Sequence, residues 1–414
     1  MQRYKTMLTS SSDNLYQFCR CLFLSTISGI VIGFISILFN FGMKYADTFR
    51  AEHNWMILLL PLAGVAIVWL YRLFHYENNT GTDTVIESIQ HKSYVPLRMA
   101  PLIFISTILT VLCGGSVGRE GAAVQIGGSL GEQIGERLKF NNKDKRILLM
   151  SGISAAFSAL FGTPMAAAFL PLEMANVGIM YYPALVPCIW SAMIAQMLAK
   201  LMHAPSETLT VSQNVELTLP FALQIVLLSC LCALISVLFC GTLHKAKHLY
   251  EKFFKNSYTR IIMGGLIIIA LTLIFQTTDY LGPGMHVIEE FLTGHVIPGA
   301  FLLKILFTAV TIGAGYKGGE IVPSFFTGAA FGALFGSVMG LNVPLCAAIG
   351  MSAVFCGVTN CPITALLISL ELFGFKHAYC YLLAIAVSYM LSGYYSLYHS
   401  QSIILPKTEN AGPM

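Results

Sequence analysis

The 414 residues are 56% hydrophobic and 11% charged, with a mean hydropathy of +0.71 and a formal charge of +4. Soluble domains run at roughly 45–50% apolar and 25% charged residues. Water is therefore excluded as the main solvent of this chain.

A spanning helix takes about 20 mostly apolar residues. In chain order, such stretches fall near 22–42, 56–73, 97–113, 147–172, 181–201, 218–242, 261–276, 300–315, 321–342, 344–370 and 378–398. They lack the period-two alternation of barrel strands, so they predict helices. Several are cut in mid-run by Gly, Pro or a charge, at Gly114-Gly115, Gly162-Thr163-Pro164, Gly318-Gly319-Glu320 and Asn360-Cys361-Pro362. Broken helices are expected there. Bare backbone at membrane depth is tolerated only inside the protein or along a polar cavity, so the breaks point to a site.

Arg3, Lys5 and Arg20 precede the first apolar run and no small-residue cleavage pattern follows it, so a cytoplasmic N-terminus is expected. The basic segments Arg137-Leu138-Lys139 through Arg146 and Lys245 through Lys255 are expected on the same side. The positive charge then reads as topology, with no nucleic-acid partner. The eleven Cys show no paired spacing suited to zinc and the ten His are scattered, so no metal and no cofactor are expected. The tail after Ile404 is short for a regulatory domain, which leaves 1–414 as a single transmembrane domain.

That domain repeats. Ser154, Pro164 and Glu173 fall on Ser352, Pro362 and Glu371 at a constant offset of 198, and Gly118 through Gly131 falls on Gly319 through Gly332 at an offset of 201. Duplication gives a first repeat at 15–205 and a second at 218–404. Transporters with two such halves often run them in opposite directions and place the substrate near the midplane, with half-helix N-termini aimed at it. Glu173 and Glu371, at equivalent places, are expected to cap or bridge helices. Lys304, inside an apolar run, is expected to snorkel or pair internally.

The stretch Gly114 to Gly121 joins an apolar run to a helix expected from Ala122, and Gly315 to Ser324 supplies a second helix start of the same kind, with Pro323 suited to the first turn. Glycines let backbone N–H groups approach a ligand, and unpaired N–H groups at a helix start attract anions. Glu120 places a carboxylate where such an anion would bind. It can compete with that anion, which couples occupancy to protonation, or serve structurally by pairing with Arg119 or capping the helix. Glu120 or Glu320 acting as the acid of an intramembrane enzyme is disfavoured, because no nucleophile and base or metal set appears at workable spacing.

Four ordered motifs resemble the CLC family of anion channels and transporters: Gly118-Arg119-Glu120-Gly121, then Val124-Gln125-Ile126-Gly127-Gly128, then Leu303-Lys304 leading to Gly318-Gly319 and Pro323, and Ser396-Leu397-Tyr398. The resemblance implies an all-α polytopic membrane fold, an inverted repeat of about eighteen tilted and broken helices. It also implies a homodimer with one pore per subunit. It casts Glu120 as the gating and proton-transfer glutamate, Tyr398 as an inner hydroxyl donor and the amides of Glu320 and Ile321 as central anion ligands. An aromatic membrane belt with Tyr394 and Tyr395 is the plainer reading of Tyr398.

The departures matter as much. The inner-gate serine motif of most CLC proteins is replaced by Asn79-Thr80-Gly81-Thr82-Asp83, leaving Thr80, Gly81 or Thr82 to supply the missing ligand. The proline after the gating motif is Ala122, and the internal proton-relay position holds Met174, which cannot carry a proton. Glu320 stands where chloride-conducting members usually have an apolar residue. These changes resemble the bacterial fluoride/proton antiporter branch and imply an exporter of fluoride driven by protons across the plasma membrane. The alternative is a chloride/proton exchanger or a passive chloride channel. Glu320 is expected to be protonated beside fluoride, or turned away, unless it only pairs with Lys317.

Overall fold

The structure, a computed structural model, describes the backbone of residues 2–77, 79–206, 209, 211 and 218–407. Side chains are described from Gln17 onward in these ranges, together with Leu15. Arg3, Lys5 and the tail from Thr408 lie outside the described side chains.

Helices dominate. The first eight are α1 Gln2–Glu52, α2 Leu60–Leu73, α3 Thr82–Ile89, α4 Met99–Leu112, α5 Glu120–Arg137, α6 Asn142–Phe161, α7 Pro164–Glu173 and α8 Leu185–Leu201. The next eight are α9 Leu219–Phe253, α10 Ser257–Phe275, α11 Met285–Thr293, α12 Ala300–Gly313, α13 Ile321–Val338, α14 Val343–Thr359, α15 Pro362–Phe373 and α16 Ala378–Leu391. Among the described residues there are thus sixteen α-helices, with three short 3-10 helices between them, against the eighteen expected. Two pairs of equivalent helices match in length: α4 and α12 have 14 residues each, α5 and α13 have 18. Among the described residues, six helical spans are long and apolar enough to cross a bilayer, while others, such as Met99–Leu112 and Pro362–Phe373, are too short to do so alone.

All four interruptions separate helices: α4 from α5, α6 from α7, α12 from α13 and α14 from α15. Left-handed Gly162 and Asn360 end α6 and α14, and Pro164 and Pro362 start the following helices. Small residues let paired helices touch. A Cβ added to Gly127 of α5 would overlap the carbonyl of Gly152 in α6, and one added to Gly328 of α13 would overlap that of Gly350 in α14.

Glu173 and Glu371 cap each other's helices. Glu173, at the end of α7, accepts from the amides of Ile363 (3.0 Å) and Thr364 (2.7 Å) at the start of α15. Glu371, in the last turn of α15, accepts from Met165 and Ala166 at the start of α7, both at 2.9 Å. Two antiparallel helices thereby satisfy each other's orphan donors across a two-fold relation. Glu371→Ala leaves two first-turn amides without their acceptor. Ala166 is buried and Met165 is exposed, so the cost is about that of one unpaired buried group, about 1–3 kcal/mol, and the melting temperature of the purified protein should fall measurably, with Glu371→Gln intermediate.

Candidate anion-binding site

The loops before α5 and α13 meet in an antiparallel bridge. Gly118 N donates to Gly319 O at 2.7 Å and Gly319 N to Gly118 O at 2.9 Å, so the two helix starts face each other. Side chains are kept out by contact: a Cβ on Gly121 would lie 3.0 Å from Gly319 Cα and 3.6 Å from Thr82 Oγ1. The N-terminus of α3 therefore closes on the same point.

Glu120 sits at that junction, fully buried. Its Oε2 accepts from its neighbour's amide, Arg119 N, at 3.0 Å and from Val322 N, in the first turn of α13, at 3.4 Å. The other oxygen lies 3.8 Å from Arg119 Nε. Arg119 is fixed in turn by Asn40 Oδ1 at 2.8 Å and by the Phe161 ring. The carboxylate thus pairs with Arg119 and also occupies an amide of the opposite helix start. That amide belongs to Val322, one position beyond the Glu320 and Ile321 amides suggested by the resemblance. Helix α5 begins at Glu120 itself, two residues before the expected start.

A cavity of about 520 Å³ reaches this region from the face that carries Lys247, Glu251 and Arg260. Thr80, Gly81, Thr82, Glu320 and Tyr398 all line it. Thr80 is exposed and bonds Thr84 through its hydroxyl at 2.8 Å, and Gly81, at a φ of +70°, donates its N–H to Asn79 Oδ1. Thr82 is buried and its hydroxyl oxygen accepts from Gln125 Nε2 at 3.4 Å, which leaves its own hydrogen for another acceptor. Of the three inner-loop candidates, Thr82 alone combines burial with a hydroxyl. Ile321 opens α13 with a buried side chain.

Glu320 precedes α13, half-buried, with its side chain at the cavity wall and making no helix-capping bond. Lys317 places its ammonium 4.7 Å from the Tyr71 ring centre rather than on Glu320. Met174 is fully buried. Lys304 is also fully buried and donates to the carbonyls of Gly282 (2.8 Å) and Tyr280 (3.2 Å), an internal role. Gln125, His244, Lys247 and His399 also line the cavity; the sequence places Gln125 in a family motif and Lys247 in a basic segment, but names none of the four as a site residue.

Two comparisons decide the family. A family model described as voltage gated chloride channel matches residues 63–393. A chloride/fluoride channel protein of Pseudomonas syringae pv. tomato is 33% identical over 398 residues, covering 94% of this chain and 88% of that protein. The chain belongs to the voltage gated chloride channel (CLC) family. As a CLC protein it is a multi-pass membrane transporter and not an enzyme. The crystal structure of a CLC-type fluoride/proton antiporter superposes with a TM-score of 0.90 at 30% identity, covering 94% of this chain and 99% of that one. The CLC fold is also shared with a slow cyanobacterial Cl-/H+ antiporter, TM-score 0.78 at 18% identity, covering 90% and 94%. The H(+)/Cl(-) exchange transporter ClcA of Vibrio vulnificus is 23% identical over 380 residues, covering 85% and 81%.

Proposed function

We propose that this CLC protein exports fluoride in exchange for protons across a bacterial plasma membrane. We take it to act as a homodimer with one path per subunit and a cytoplasmic N-terminus. The observation that carries the reading is Glu120: its carboxylate holds amides at the starts of both α5 and α13, the donors a bare halide needs.

Hydrogen bonds to an ionised acceptor are shorter and about twice as strong as neutral ones. Protonation of Glu120 therefore weakens its hold on Val322 N and lets the carboxyl swing out. Fluoride then takes the amides, and the proton travels with Glu120 in the opposite sense. Fluoride is smaller than chloride and a stronger acceptor, so it calls for short, dense donors. The Thr82 hydroxyl and Tyr398 hydroxyl supply these at the inner end. Glu320 beside fluoride is tolerated when neutral or turned into the cavity, and either way a proton accompanies the ion without Met174 having to titrate.

Purified protein in liposomes, followed by fluoride, chloride and pH electrodes, tests this. A fluoride gradient should drive protons the other way, with chloride moving at least about tenfold more slowly, the difference of roughly one hydrogen bond. Chloride moving as fast as fluoride would make it a chloride/proton exchanger; rapid current without proton movement would make it a channel. Tyr398→Phe removes one hydroxyl donor and is expected to raise the fluoride KM about tenfold, a loss of one hydrogen bond to a charged partner.

A further inference from the structure

We propose that Asp83, with Glu87 and Gln90, is a positioning device for Tyr398, acting through Ser400. Tyr398 belongs to no helix; it sits in the irregular segment between α16 and the short strand β2, Ser402–Ile403, which pairs with β1, Asn176–Val177. Such a segment has no ladder of its own to fix the phenol in the path, and holding even one residue in a single conformation costs about 1–2 kcal/mol.

Helix α3 supplies the restraint. Ser400 N donates to Asp83 Oδ1 at 2.9 Å, Ser400 Oγ donates to Glu87 Oε1 at 2.8 Å, and Gln90 Nε2 donates to Ser400 O at 2.8 Å. The N–H, hydroxyl and carbonyl of Ser400 are therefore all taken, the first two by α3 and the third by Gln90, the residue that caps its C-terminus. Positions 83, 87 and 90 follow the i, i+4, i+7 spacing of one helix stripe. An acid in the first turn of a helix ordinarily serves its own orphan amides; Asp83 reaches instead to a residue 317 positions away.

The grip has a functional direction. Asp83 follows Thr82, and Ser400 lies two residues after Tyr398, so the two hydroxyls at the inner end of the path are mounted on one clamped unit. On the other flank the His399 ring packs against that of His244, ring centres 4.0 Å apart and planes tilted by 31°, and Leu397 N donates to Val358 O at 2.9 Å. Tyr398 is held from both flanks, and the inner donors keep their spacing while Glu120 and Glu320 move.

This inference rests on the transport reading above, and it is tested with whichever halide the unaltered protein moves in liposomes. Asp83→Ala should raise the halide KM about tenfold with the maximal rate nearly kept, the cost of one charge-assisted hydrogen bond. Asp83→Asn, which keeps a neutral acceptor oxygen of about half the strength, should restore the KM to within about threefold. An Asp83→Ala protein with unchanged KM, or an Asp83→Asn protein as impaired as Asp83→Ala, would overturn the proposal. Should Asp83→Ala fail to fold, Ser400→Ala, Glu87→Ala and their combination decide: the double variant should raise the KM no further than either single. Additive effects, or none, would overturn it. An unaltered protein that moves chloride as readily as fluoride would defeat the fluoride reading alone.

Discussion

Glu120→Gln is expected to stop proton-coupled exchange outright, lowering proton flux in liposomes at least about 100-fold while fluoride binding tightens. The variant is close in shape, so the first turns of α5 and α13 should keep their bridge. What changes is charge. The ionised carboxylate accepts from Arg119 N and Val322 N, and a neutral amide oxygen holds such donors about half as strongly. Fluoride then wins the site at any pH, and no proton can ride on the side chain. Measured together, binding affinity and coupled flux should move in opposite directions. A fall in both would reduce Glu120 to a structural acid paired with Arg119.

Gly319→Ala is expected to be as damaging for a steric reason. A Cβ there would lie 2.6 Å from Gly121 N and 3.1 Å from Glu120 N, against backbone that cannot yield. Both peptide groups of Gly319 are already engaged with Gly118, so the added methyl cannot turn aside without opening the bridge. Overpacking of this kind costs about 1–3 kcal/mol. It also pushes apart the two helix starts whose amides define the site, so fluoride flux should fall at least about 100-fold, beyond the modest loss of stability. Gly241→Ala is the control: nothing lies within 4 Å of its added Cβ, and flux should be unchanged. Electrode traces from the two variants, normalised to folded protein, check this.

The broken helices were legible because Gly and Pro interrupt apolar runs for plain reasons: no helix continues through Gly162-Thr163-Pro164 or Asn360-Cys361-Pro362. The partnership of Glu173 and Glu371 was legible as a pair of equivalent positions, although which helix each one caps was not. The identity of the amide that meets Glu120 was hidden, because Val322 lies 202 residues away and a fold is needed to bring them together. Lys247 read only as part of the basic segment from Lys245 to Lys255 and His244 as the residue just before it, so nothing marked either as cavity wall. The grip of α3 on Ser400 was equally invisible, since Ser, Asp and Gln at those positions suit any polar surface. Repeat boundaries at 15–205 and 218–404 remain our proposal, in keeping with the equal lengths of α4 and α12 and of α5 and α13. Ion choice is the least legible property, because hydroxyl and amide donors serve fluoride and chloride alike and only their spacing discriminates.

Proton release or uptake on fluoride binding, read by calorimetry in buffers of different ionisation enthalpy, reaches the competition at Glu120 most directly. Near neutral pH the unaltered protein should take up protons as fluoride binds, and Glu120→Gln should take up fewer. Equal proton uptake by the two proteins would contradict displacement of the Glu120 carboxylate by the anion.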